Sequence, residues 1–210
     1  MTTPALFEPE APAPTPVVAA GPRPTVIGLD IALVTSGVAG TGWTDLIRTG
    51  DLRDEERLVY LVEAAASFYR RADFVVIEGA AYSRATQVGH DELSAARWAV
   101  RVDLWRRGIP FAVVNPDSRT IYATGRARHK HPETGRKLSA AEVKGLVRDA
   151  VRERYGVACA GRGRYDQADA YVLHAMGLHW LGYPLADVPP SHARALKGVP
   201  WPTEPVAVAR

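Results

Sequence analysis

Residues 164–177 read RYDQADAYVLHAMG. Asp166 and Asp169 open a run that is otherwise apolar and helical in pattern. Residues three apart are neighbours on a helix, so the two carboxylates share a face and repel. The positive end of the helix dipole offsets only part of that repulsion. Taken singly, Asp166 is an N-cap and Asp169 an ordinary first-turn acid. The pair gains meaning from two more acids, each at the end of an apolar strand.

Those strands lie upstream. TVIGLDIA (25–32) is short, apolar and β-branched, and carries Asp30. DFVVIEGAA (73–81) has the same character and ends on Glu78. An uncompensated buried carboxylate is costly, so each needs a partner or must stay protonated. Parallel pairing of the two strands would set Asp30 beside Glu78. A divalent cation, or a pair of them, relieves the repulsion among all four acids, and carboxylate oxygens are the ligands Mg²⁺ prefers. Two such ions would activate a water and stabilise the leaving oxygen of a phosphodiester.

The remaining elements follow from pattern. LVTSGVAGTGW and TDLIRTG read as two further strands with Gly turns, a meander with the first. Residues 54–72 form a helix with Leu58, Leu61, Val62 and Ala65 on one stripe. Residues 91–108 form a second helix, and IPFAVVNP (109–116) a fifth strand stopped by Pro116. A loop, GRARHKHPETGRK (125–137), precedes a helix that Ser139 and Glu142 open as a capping box and Gly156 closes. The last helix, N-capped by Asp166, ends near Gly182. Helix–strand alternation after a meander predicts an α/β fold, a five-stranded mixed sheet flanked by helices.

Residues 1–24 hold seven prolines and no periodicity, which predicts a disordered arm. Residues 25–182 make the domain and 183–210 an irregular tail. No run of 18 apolar residues occurs, and no signal-like segment opens the chain, so no membrane association is expected. A lone cysteine, Cys159, fits a reducing cytoplasm.

Net charge is only +3, but Arg119 to Arg164 holds twelve Lys and Arg against four Asp and Glu. That local +8 leaves −5 for the rest and suggests a polyanionic partner; the plainer reading is a solvated basic face. His129 and His131 belong to this basic loop and lack the company a zinc site needs.

The order of these features resembles the RNase H-like nucleases, and within them the RuvC-type Holliday-junction resolvases, including versions carried by actinobacterial phages. The resemblance runs from Thr25 to Gly182 through GLD, VVIEGAAYSR, NPDSRTIYATGR and DQADAYVLHAMG, and the tail HARALKGVPWP is similar to phage-type members. It implies an RNase H-like fold and metal-binding catalytic roles for Asp30, Glu78, Asp166 and Asp169. It implies Mg²⁺, with Mn²⁺ as a substitute, at one or two ions per site. Tyr82 stands where the family has an aromatic residue that opens the junction, or is a plain loop tyrosine. Lys130 and Lys137 compete for a family lysine. Ile31-Ala32 departs from the Pro-Gly that follows the first Asp in many members.

The expected function is therefore a Mg²⁺-dependent endonuclease that cuts four-way DNA. Arg126, Arg128, Lys130, Arg136 and Lys137 would be the chief phosphate contacts, assisted by Arg119, Lys144 and Arg148 unless these face the core from a helix. Two other readings stay open: an RNase H-like enzyme acting on RNA or RNA–DNA hybrid, and a non-catalytic nucleic-acid-binding module. A homodimer is expected, since dimers are the rule in the family. The helix at 91–108, with Trp98 and Trp105 on roughly one face, is the candidate interface, unless both Trp pack inside the domain.

Overall fold

Alternation along two strands decides where the acids point. In β1 (Val26–Asp30), Val26 joins one core while Ile27 and Leu29 join another; in β4 (Phe74–Glu78), Phe74 and Val76 join the first, Val75 and Ile77 the second. The period of two carries Asp30 and Glu78 onto the same face as Val26 and Phe74. The strands are parallel, with Leu29 opposite Ile77, so Asp30 and Glu78 come one step later, side by side. This is a computed structural model, and it describes residues 23–80, 89–203 and 206.

The meander is present: β2 (Thr35–Gly40) pairs antiparallel with β1 and with β3 (Trp43–Arg48). With β5 (Phe111–Val114) parallel to β4, the sheet order is β3-β2-β1-β4-β5. This is the mixed five-stranded α/β plan expected from the sequence. Helices α1 (Asp54–Tyr69) and α2 (His90–Arg106) cover one face. Helices α3 (Pro116–Thr124), α4 (Ala140–Tyr155) and α5 (Arg164–Trp180) cover the other.

Two elements differ from expectation. Residues 116–124 form α3, where the strand was expected to give way to loop. Asn115 caps it by accepting from the Asp117 amide at 2.7 Å, Pro116 takes the first turn, and Gly125 (φ 80°) closes it. The last helix begins at Arg164 after Gly163, so Asp166 lies inside the first turn and is not its cap. The Ser139–Glu142 capping box and the Gly156 stop form as predicted.

Helix α5 is buried continuously from Ala168 to Leu178, which explains its apolar run. It lies on the sheet so closely that two glycines are obligatory. A Cβ on Gly28 would collide with the carbonyl of Ala170, and one on Gly37 with the carbonyl of Asp166. His174, fully buried and held neutral with a pKa lowered to about 4 by burial, pins the contact. Its Nδ1 donates to the Val26 carbonyl at 2.9 Å, which leaves Nε2 to accept from Thr41 at 3.3 Å.

After α5 the chain is more ordered than its sequence suggests. Pro190–Ala193 (α6) and the 3-10 turn Arg194–Gly198 pack on α3. Trp201 stacks on Trp180 (5.0 Å, 7°) and donates to the Leu196 carbonyl at 2.8 Å.

Candidate active site

Four acids from three elements converge at one end of the sheet. Asp30 and Glu78 project from the adjacent ends of β1 and β4, and Asp166 and Asp169 come down from the first turns of α5. They line one open pocket of about 650 Å³. The spacing that made the two aspartates repel also aims both at the strand ends.

Two cations enter the same space. Arg119, from α3, places Nε 2.8 Å from Glu78 Oε1 and its Nη1 against Asp169 Oδ1. Lys144, from α4, lies 3.6 Å from Asp166 Oδ1 and 4.0 Å from Asp169 Oδ2. Arg119 is 8% and Asp169 2% exposed. The Arg119 contacts are ionic and not aligned hydrogen bonds. Glu78 Oε1, Asp169 Oδ1 and both guanidinium nitrogens are buried without a hydrogen-bond partner.

Acid crowding shows in the protonation energetics. Burial, and then the Glu78 carboxylate beside it, raise the Asp30 pKa to about 7, against the opposing pull of Arg119 and Lys144. Burial and then Asp30 raise Asp166, again opposed by Lys144.

The basic residues separate into distinct groups. Arg126, Arg128, Lys130 and Lys137 are exposed. Lys130 and Lys137 face each other across a small antiparallel bridge, and the lysine that reaches the acids is Lys144. Arg136 is committed to the helix: it forks onto Glu142 at 3.0 and 2.7 Å and holds that carboxyl well below the usual range. Arg119, expected to meet phosphate from the surface, is buried among the acids because α3 forms. Tyr82 lies outside the described residues.

The sequence reading missed Arg97 and His90, on the pocket side of α2. Arg97 Nε is buried without a hydrogen-bond partner. A continuous helix from His90 carried no signal that separated these two from other surface polar residues.

Among solved structures, Thermus thermophilus RuvC matches with a TM-score of 0.52 and 18% identity, over 79% of this chain and 99% of that one. Its fold is RuvC-like. The T. thermophilus RuvC in complex with a Holliday-junction substrate matches with a TM-score of 0.51 and 19% identity, over the same shares. No protein-family model matches the sequence, and no curated protein does.

On this RuvC-like sheet the donor set suits a hard divalent cation: carboxylate oxygens from four side chains, two of those oxygens buried. Among the described residues no three acids, His or Cys stand in a metal-holding arrangement, and the Arg119 guanidinium lies between Glu78 and Asp169. The chemistry fits such an ion, and the arginine takes its part in this arrangement. No helix among the described residues is long and apolar enough to cross a membrane.

Proposed function

We propose that this chain is a Mg²⁺-dependent, structure-specific endonuclease that resolves four-way DNA junctions. One observation carries the reading: carboxylates from β1, β4 and α5 converge with two cations in a single open pocket on a RuvC-like sheet. Asp30, Glu78, Asp166 and Asp169 would hold the ion. When bound, a divalent ion supplies a Lewis acid and a water of lowered pKa. Mn²⁺ would substitute, and one or two ions per site are compatible with four carboxylates.

The chain's own residues do the rest. Lys144 stands at the pocket wall, where a phosphate oxygen can accept from its ammonium. Arg97 and His90 stand on the opposite wall. Arg126, Arg128, Lys130 and Lys137 give the DNA backbone a charged arm beyond the pocket, and phosphate contacts of that kind set affinity and register without reading sequence. Tyr82, four residues after Glu78, would stack on a base opened at the junction.

The junction reading rests on the T. thermophilus complex, whose partner is a Holliday junction. Such a substrate needs two symmetric cuts, which a homodimer of this chain supplies. The task is recombination and repair or the processing of phage DNA; the tail HARALKGVPWP (192–202), similar to phage-type members, favours the latter. A lone, buried, unpaired Cys159 is consistent with a cytoplasmic protein.

The test is cleavage of a four-way junction, linear duplex and RNA–DNA hybrid by purified protein, with Mg²⁺ or EDTA. The reading expects junction cleavage that needs the metal. Preference for hybrid would shift the substrate to RNA, and metal-independent binding without any cleavage would leave only a nucleic-acid-binding module.

A further inference from the structure

We infer that Arg119 is the resident counter-cation of the acid pocket and competes with the divalent ion for Glu78 and Asp169. This rests on the reading of the pocket as a metal site. Arg119 is the only cation among the described residues that contacts both of these acids. It reaches them from the fourth position of α3, a helix braced on its far side. Arg154 donates to the carbonyls of Tyr122 (3.1 Å) and Ala123 (3.2 Å), and Arg194 to that of Gly125 (3.2 Å). These bonds tie down the C-terminal end of the helix that carries Arg119.

Arg119 divides its charge between two carboxylates, with Nε on Glu78 and Nη1 on Asp169. Arg136, by contrast, forks both of its terminal nitrogens onto the single carboxylate of Glu142. Arg119 thus stands where a divalent ion would otherwise balance the two acids. A Mg²⁺ ion needs carboxylate oxygens at about 2.0–2.1 Å in near-octahedral order, so it and the guanidinium compete for the space and the negative charge between Glu78 and Asp169.

Charge points the same way. Once all four carboxylates are ionised, as a bound metal requires, they sum with Arg119 and Lys144 to −2, which one divalent ion neutralises. An arginine released from the acids lies at the pocket wall beside an arriving phosphodiester, the anion its fork fits best. Metal and DNA phosphate then act on one side chain in the same direction: each favours the state in which Arg119 has left the acids. Two ligands that favour one state bind cooperatively, each raising the affinity of the other by the same factor. Off DNA, Arg119 keeps the pocket under-loaded with metal; on DNA, the phosphate draws it away.

The experiment is direct metal binding to the full chain without DNA, by calorimetry with Mg²⁺ and by electron paramagnetic resonance with Mn²⁺. Arg119→Met, which keeps the unbranched stem and removes the charge, is expected to tighten metal binding at least tenfold. Lys144→Met, at a half-exposed position, is expected to tighten it less. Wild-type protein gives a reading that needs no variant: the Arg119 Nε–H signal in NMR, protected from exchange without metal, should lose that protection at saturating Mg²⁺. Metal binding by wild type that is unchanged or weakened in Arg119→Met, or an Nε–H signal that metal does not alter, overturns the inference and leaves the metal site standing. No metal binding by wild type or Arg119→Met at millimolar ion overturns both.

Discussion

Asp30 is the acid on which the others bear most heavily. Burial and the Glu78 carboxylate raise its pKa to about 7, well above its unfolded value. The native state therefore holds a proton there that the unfolded chain has lost, across the window between about pH 4 and about pH 7. In that window stability falls as pH rises, and above it the full cost of a buried charge is present. Each tenfold change in a protonation equilibrium is worth ~1.4 kcal/mol, so the effect amounts to a few kcal/mol. Asn mimics the protonated form. Metal-free Asp30→Asn should thus gain in melting temperature over wild type as pH goes from about 5 to about 8. A gap that stays constant with pH would mean that Asp30 does not lose its proton in the native state between about pH 5 and about pH 8, as its raised pKa requires it to. Activity should move the other way: Asp30→Asn, Glu78→Gln, Asp166→Asn or Asp169→Asn each lose roughly two to three orders of magnitude in junction cleavage. Junction binding, measured by anisotropy, should survive. A variant that cleaves at the wild-type rate would remove its residue from the ligand set. These four acids were legible in the sequence because each breaks an apolar pattern where burial makes a lone charge expensive. Arg119 breaks no pattern. An arginine after Asn-Pro-Asp-Ser looks like any surface cation until a helix turns it inward.

At the scale of elements, the site depends on how closely α5 approaches the sheet. Gly28 and Gly37 leave no room for a methyl group beneath the carbonyls of Ala170 and Asp166. Gly37→Ala should therefore push up the turn that carries Asp166, cutting cleavage along with melting temperature. Gly28→Ala, one turn further along α5, should cost stability first, typically 1–3 kcal/mol for overpacking. Equal melting temperatures for wild type and Gly37→Ala would contradict the packing. The glycines could be seen in the sequence, but the helix above them could not, since strand and helix are more than 120 residues apart. Helix α3 was missed for a local reason. Asn115-Pro116-Asp117 is a cap, first-turn proline and first-turn acid as well as a strand stop, and only the stop was read. The basic arm is separable from both. Replacing Arg126, Arg128 and Lys130 with Ala should weaken binding to every DNA tested and lower the slope of log K against log salt by roughly 0.9 per lost contact. An unchanged slope would make the arm a solvated face. Arg136→Ala should instead lower the stability of α4, since its guanidinium is engaged with Glu142.

At the scale of the whole molecule, each chain carries one candidate site, whereas the proposed four-way substrate needs two cuts. Strands of like polarity must be cut symmetrically about the junction centre, and an isologous dimer is the commonest way to place two sites so. The sequence left two readings of Trp98 and Trp105, buried or presented, and the structure presents both: Trp98 is 57% and Trp105 76% exposed. Arg101 lies over the Trp98 ring at 3.8 Å, and Val102 and Val59 share the groove between α2 and α1. Aromatic and arginine side chains gathered on one outward helix face are what the centre of a protein interface selects. This face lies on the side of the sheet opposite α5, so a second copy docked there leaves α3, α4 and α5 uncovered. Light scattering at micromolar concentration should give about twice the 22.8 kDa chain mass. Trp98→Glu with Trp105→Glu should return the mass to that of one chain, and coordinated paired cuts should become single nicks. Melting temperature should change little in a monomer whose Trp side chains were already in water, which separates loss of the interface from loss of the fold. A wild-type monomer that still makes paired cuts would refute the symmetry argument. A dimer indifferent to both substitutions would move the interface to another face.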